Sequence, residues 1–181
     1  MNDPRHQQDP RMSTRTAIIR AEGEGDAIWF NNDLFTFKAT AEETDHTLTL
    51  FEEFSQRGKV TPLHLHPNAD ETFYVINGEI RVHVDGDEQT VGRGGVASVP
   101  RGVAHAMMVT SETALVLTIV TGGCKELEMF FREVGEPTTQ RTLPPSVPLP
   151  LERIRSAAAQ HGSVVVLGPP PFTATTASHS V

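Results

Sequence analysis

The sequence predicts an all-β protein, an antiparallel β-barrel of jelly-roll type with short helices after the barrel near the C-terminus. Three observations carry this. Between residues 33 and 121, short stretches alternate apolar and polar side chains with a period of two, the repeat of a half-buried strand. Turn residues punctuate them at hairpin spacing: Asn77-Gly78, Asp85-Gly86, the glycine-rich residues 92–95 and Pro100-Arg101-Gly102. After Gly122-Gly123 the apolar period becomes helical. Together these give roughly nine or ten short strands, the pattern of an antiparallel barrel or jelly roll.

In chain order, residues 1–16 are rich in Asp, Pro, Arg and Gln and lack apolar periodicity, so a loose tail is expected, with Met12 as an alternative start. Residues 17–30 carry apolar pieces around a polar loop at 22–26. Residues 33–40 alternate Phe35, Phe37 and Ala39 against Leu34, Thr36 and Lys38. Residues 46–54 place Leu48 and Leu50 against Thr47 and Thr49. Pro62 and Pro67 confine residues 60–66 to a short or edge-like strand. Residues 71–76 form a strand whose Asn77-Gly78 signals a type I′ hairpin to 79–84, and Asp85-Gly86 is a second such turn. Strands follow at 89–91, 96–100, 105–110 and 114–121.

Residues 125–134 place Leu127, Phe130, Phe131 and Val134 on one helical stripe, and Gly135 ends it. Four prolines make 142–150 an extended connector. Residues 149–160 read as a second helix stopped by Gly162, with 164–167 extended after it. The expected division is a barrel over 17–135, a connector and C-terminal helix packing on it over 136–172, and a loose tail over 173–181. No internal repeat of the barrel is visible, so one barrel is expected.

Composition narrows the function. The 181-residue chain carries a formal charge of −8 and no basic block, which argues against a nucleic-acid partner. It has a single cysteine, Cys124, so no intrachain disulfide forms, and a reducing, cytoplasmic setting fits. No apolar run reaches the length of a signal peptide core or a membrane span.

The densest chemistry lies between Gly58 and Gly78. His64 and His66 are two apart, so on a strand both imidazoles face one side. Glu71 follows five residues later, at the start of the next strand. Two imidazoles and a carboxylate aimed at one point suit a divalent transition metal: Ni, Mn, Fe, Co, Cu or Zn. A further nitrogen is expected from elsewhere, and the stretch from Gly94 to His105 offers His105.

Gly58, His64, His66, Glu71 and Gly78 match the fixed positions of the first cupin motif, and Gly94, Pro100, Gly102 and His105 those of the second. The chain thus resembles the cupin family. The resemblance implies a small barrel in which His64, His66, Glu71 and His105 hold one divalent metal. One position departs: the second motif usually ends in Asn, and here that residue is Val109. The layout of one barrel, a following helix, a proline-rich connector and a C-terminal helix is similar to the quercetin 2,3-dioxygenase-like branch of one-barrel cupins. In that branch a divalent metal binds a flavonol, and dioxygen cleaves its ring. The glutamate ligand takes the flavonol proton, a role that falls on Glu71 here. The resemblance also implies a homodimer.

Parity predicts the surroundings. With His105 inward, Met107 and Val109 are inward; with Glu71 inward, so is Phe73; Leu48 and Leu50 are candidates from the facing strand. Such a cavity is apolar and suits a flat or aromatic small molecule, unless these side chains simply fill the barrel. His83 falls on the solvent parity. Arg101, in a turn at the mouth, is a candidate for an anionic substrate or else simply exposed.

Three functions remain open. The first is a metal-dependent dioxygenase with Glu71 as ligand and base. The second is a redox-neutral isomerase or cyclase, with the metal as Lewis acid. The third is a small-molecule-binding barrel without turnover.

Overall fold

The computed structural model describes residues 16–148 and 150–172. The tails expected at 1–16 (apart from Thr16) and at 173–181, and the start at Met12, lie outside the described residues. The strands are β1 (Ala27–Phe30), β2 (Asp33–Ala39), β3 (Leu48–Gln56), β4 (Leu63–Leu65), β5 (Ala69–Asn77), β6 (Glu79–Val84), β7 (Asp87–Gly92), β8 (Val96–Val99), β9 (His105–Val109), β10 (Thr113–Gly122), β11 (Glu136–Thr138) and β12 (Val165–Gly168). The helices are α1 (Cys124–Val134) and α2 (Leu151–His161).

These strands form two antiparallel sheets. One has seven strands in the order β11-β1-β2-β3-β10-β5-β8, the other five in the order β12-β4-β9-β6-β7. All pairings are antiparallel, so the jelly-roll expectation holds. Long strands form where apolar alternation is longest: β3 pairs with β10 from Gln56↔Thr113 to Leu48↔Thr121.

The two sheets pack over Phe73, Val75, Ile80, Val82, Val99, Met107, Val109, Ala114 and Val116. This is one filled half of the interior. The other half is not closed by strands. There α1 lays Leu127, Phe130, Phe131 and Val134 against Phe35, Phe37 and Phe51. The rings meet edge-on or stacked, with Phe35–Phe51 centroids 4.8 Å apart and Phe51–Phe131 5.3 Å, geometries that aromatic quadrupoles favour. Helix α2 then packs on α1 through Ala157 and Ile154. Gly162 ends α2 in the left-handed region, φ 61°, as a glycine C-cap does.

Two turns differ from the sequence expectation. Asp85 and Gly86 both have positive φ and close a two-residue hairpin between β6 and β7, as a type I′ turn requires. Asn77-Gly78 does not make a hairpin. β5 belongs to the larger sheet and β6 to the smaller, so the chain turns a corner between them. Only Gly78 has positive φ there, 82°. The missed type I′ turn is Asn31-Asn32, with φ 55° and 68°, joining β1 to β2. β11 was also unforeseen. It holds Pro137 at the sheet edge, the place where a missing N–H is tolerated.

The segment before β1 is fixed by Arg20, whose guanidinium donates to both carboxylate oxygens of Glu43 at 2.6 and 3.1 Å. The hydrogen bond from Arg20, with the Thr40 backbone N–H, holds the Glu43 carboxyl down at about 2. A carboxyl depressed in the folded state stabilises above its unfolded value and loses that contribution as pH falls through the folded one. Glu43→Gln therefore flattens the acid limb of a stability–pH curve between about 4.5 and 2. At neutral pH it costs less than about 1 kcal/mol, because the pair is partly solvated. Chemical denaturation across pH measures both. Gly78→Ala is the larger lesion: its Cβ meets the Thr113 carbonyl and the Ser111 hydroxyl at positive φ. A loss of more than about 1 kcal/mol is expected in the same assay.

Candidate metal centre

β4 is only three residues long because Pro62 and Pro67 bracket it, yet it places the first two histidines. His64 stands directly across from His105 in the β4–β9 pair. His66 follows β4, and Glu71 rises from β5 in the facing sheet. Ring centroids are 4.3 Å apart for His64–His105, 5.0 Å for His64–His66 and 5.3 Å for His66–His105. Glu71 Oε2 lies 3.1 Å from His105 Nε2 and 3.3 Å from His66 Nε2. Each residue offers a ligand atom, and these atoms all lie within 4.8 Å of one another, so the cluster could hold one metal ion.

The outer nitrogens show what the inner ones do. His64 Nδ1 is 2.8 Å from the Pro62 carbonyl, His66 Nδ1 2.8 Å from the Ser163 carbonyl and His105 Nδ1 3.0 Å from the Val103 carbonyl. A carbonyl only accepts, so each Nδ1 donates. In a neutral ring the lone pair is then on Nε2, turned to the cluster. This is the usual way protein backbone orients a metal-binding imidazole. Burial, with the charges of His105 and His66, pushes His64 down to about 3, so its lone pair is free at neutral pH. In the metal-free cluster burial works to raise Glu71, but the charge of a protonated His66 and a hydrogen bond from His105 outweigh it and hold the carboxyl well below the usual range; a bound metal would take the place of those Nε2 protons. For His66, burial lowers the ring and Glu71 more than offsets it, a net upward shift. Buried His66 Nε2 has no hydrogen bond of good geometry. A carboxylate meeting imidazole lone pairs needs a positive centre between them, and the donor set fits a divalent metal.

The cluster sits on the wall of a cavity of about 370 Å³. Phe35, Phe51, Phe73, Met107, Phe130 and Phe131 line it, joined by Leu151 and Ile154 of α2, Val164 just before β12 and Val166 within it. Phe73 and Met107 are thus where parity put them. Leu48, Leu50 and Val109 do not line it. On β3 the buried row is Thr49, Phe51, Glu53 and Ser55, and the leucines are on the other face. Val109 does point inward, but it lies four residues along β9 from His105, packed in the filled half. Arg101 is engaged by Asp70 at 2.7 and 3.0 Å outside the cavity. Cys124 is buried at the start of α1 and lies 3.3 Å from the His46 carbonyl. His83 is partly buried, 3.9 Å from Glu88.

Sequence reading missed two charged side chains on this cavity. Glu53 and Lys59 line it, and Lys59 is in contact with the buried carboxylate of Asp33. Burial alone pushes the Lys59 ammonium down to about 7. The Asp33 carboxylate acts the other way, and we take the pair as charged. Glu53 is pushed up to about 8 by burial and by the charge of Glu71. The sequence showed only an acidic residue within a strand; that it shares the buried row with Phe51 and Ser55 is seen in the structure.

Residues 50–121 match the family model described as "Cupin domain". Over that stretch, less than half of the chain, the sequence is similar to the cupin family. A quercetin 2,3-dioxygenase from Bacillus subtilis (strain 168) is 27% identical to this chain over 119 residues, covering 66% of the chain and 35% of that protein. The matched part is thus about a third of the relative's length. Among solved structures, KdgF from a Halomonas species superposes with a TM-score of 0.52 at 17% identity, covering 59% of this chain and 93% of that one. A predicted oxalate decarboxylase from Thermotoga maritima gives 0.53 at 17%, with 59% and 99% covered. These two structures speak for the cupin fold. No helix among the described residues is long and apolar enough to cross a membrane.

The Ser163 carbonyl belongs to the segment that leads into β12, which pairs with β4 at the sheet edge. A chain ended at Gly162 keeps α2 and loses that carbonyl. Its expected metal affinity is about 10- to 100-fold weaker, the usual cost of removing an outer partner of a ligand, with its circular dichroism retained. A competition titration with a chelating dye measures it.

Proposed function

We propose that this chain is a metal-dependent oxidoreductase of dioxygenase type, acting on a flat enolic or phenolic molecule such as a flavonol. The observation that carries this is the set of three imidazole lone pairs and one carboxylate, brought together on the wall of an aromatic-lined cavity. The similarity to quercetin 2,3-dioxygenase supports the substrate class.

His64, His66, Glu71 and His105 are the residues that would hold the metal. When bound, a divalent transition metal supplies Lewis acidity toward a substrate oxygen and, for a redox-active ion, one-electron chemistry with dioxygen. Glu71 is ionised, as a base must be at neutral pH, because His66 and His105 stabilise its charge. The same stabilisation makes it a weak base. It is therefore matched to an acidic enol or phenol and not to an aliphatic alcohol. The phenyl rings of Phe35, Phe51 and Phe73 offer flat apolar surface for an aromatic ligand and exclude water from it. The proposal includes dioxygen as co-substrate, a homodimer and a cytoplasmic setting, in line with the sequence resemblance. It also keeps the division into a barrel at 17–135 and a following part at 136–172, whose β11 and β12 join the edges of the two sheets.

The test is elemental analysis of protein purified without added metal, followed by oxygen uptake with a flavonol. About one metal per chain is expected, with His64→Ala and His105→Ala losing it while the fold remains. Glu71→Gln should lower kcat by about 10²- to 10⁴-fold, the range for a general base. A metal-loaded chain that consumes no oxygen with any flavonol would sink the dioxygenase reading.

A further inference from the structure

Glu53 is out of place by the ordinary rules of burial. It is 5% exposed, in the middle of β3, on a cavity wall otherwise made by Phe35, Phe51 and Phe73. Acidic side chains are almost never buried this far unless paired. Among the described residues two cations line that cavity: Lys59 is turned to Asp33 and to the Asn31 carbonyl, 3.3 Å away, and Arg155 lies 3.6 Å from Glu152. Glu53 forms no ion pair among the described residues. Its one polar neighbour on the same buried row, Ser55, acts on the carboxyl as a weak hydrogen-bond partner, with no hydrogen bond of good geometry from its buried hydroxyl. The cavity lining therefore carries a second acidic group besides the histidine–glutamate cluster: Glu53, close enough to feel the charge of Glu71 but separate from the four clustered side chains.

We propose that Glu53 is a specificity-determining residue, hydrogen-bonding a hydroxyl group of a bound aromatic molecule other than the oxygen that meets the His64–His66–Glu71–His105 cluster. Either protonation state of Glu53 serves, since a hydroxyl both donates and accepts. The ligand class that follows is an aromatic molecule with two oxygens, one for the cluster and one for Glu53. A small-molecule occupant in this cavity rests on the reading of function above; the role of Glu53 does not require a metal or turnover.

The physical expectation is a trade of stability for recognition. A carboxyl kept in an apolar wall without a charge partner costs free energy that an apolar side chain of similar shape would not. A purely structural glutamate would show the reverse: its replacement would weaken the fold and leave ligand preference alone.

The experiment uses 2-naphthol and naphthalene, which differ by one hydroxyl, need no chelation and can be titrated against metal-free full-length protein by fluorescence. Wild type should bind 2-naphthol at least about tenfold more tightly, the discrimination a site built for a hydroxyl gives. Glu53→Met, which keeps the chain length and removes the hydrogen bond, should abolish that preference with Tm unchanged or higher. Glu53→Gln should keep it within about threefold, since an amide still donates and accepts. Equal affinity of the two probes for wild type, binding of neither, or an undiminished preference in folded Glu53→Met overturns the proposal. Should Glu53→Met fail to fold, the wild-type comparison alone still decides. Metal-loaded protein titrated in parallel with 3-hydroxyflavone separates the two readings. Failure of flavonol binding with an intact, Glu53-dependent naphthol preference removes the dioxygenase reading and leaves this one standing.

Discussion

Three backbone carbonyls decide what this site is. Pro62, Val103 and Ser163 each accept a hydrogen bond from the Nδ1–H of one histidine. That leaves Nε2 to face the interior, where the Glu71 carboxylate is waiting. Without those carbonyls the rings could rotate or exchange tautomers, and the same four side chains would be a buried charge problem. With them, the cluster is rigid and its unmet need is for a cation. Two of the three acceptors are local, each two residues from its histidine along the chain. The third comes from the far end of the sequence.

The rest of the fold supplies that arrangement. β4 is too short to stand alone and is held between β9 and β12. β5 carries Glu71 in the opposite sheet, so the site straddles the two layers and depends on their packing. The filled half of the interior, around Val75, Ile80 and Val116, fixes the distance between the layers. The half covered by α1 and α2 leaves room for a ligand. The division between a structural half and an open half follows from where strands end and helices take over.

Much of this was legible in the sequence because it is local. The spacing of His64 and His66 on a strand, the glycines and prolines around them, and the helical stripe Leu127–Phe130–Phe131–Val134 are patterns a few residues long. What was not legible depends on the partner each element finds. Leu48 and Leu50 carry the stronger apolar signal on β3, but α1 covers the other face, so Phe51 and Glu53 point inward. Asn77-Gly78 has hairpin chemistry, yet β6 pairs with β9 and β7 and leaves β5 to another sheet. The Ser163 carbonyl carries no side-chain signature at all. The Glu53 carboxyl was visible as a residue, but its face of the strand was not.

The contribution of Ser163 sets a temporal order on the molecule. His64, Glu71 and His105 all precede α1, and His66 is anchored only when the polypeptide beyond α2 has returned to lie alongside β4. During synthesis the barrel strands can pair while that last ribbon is still unmade. The binding centre thus cannot be complete before the residues beyond α2 have been made, later than the stretches that carry its four ligands.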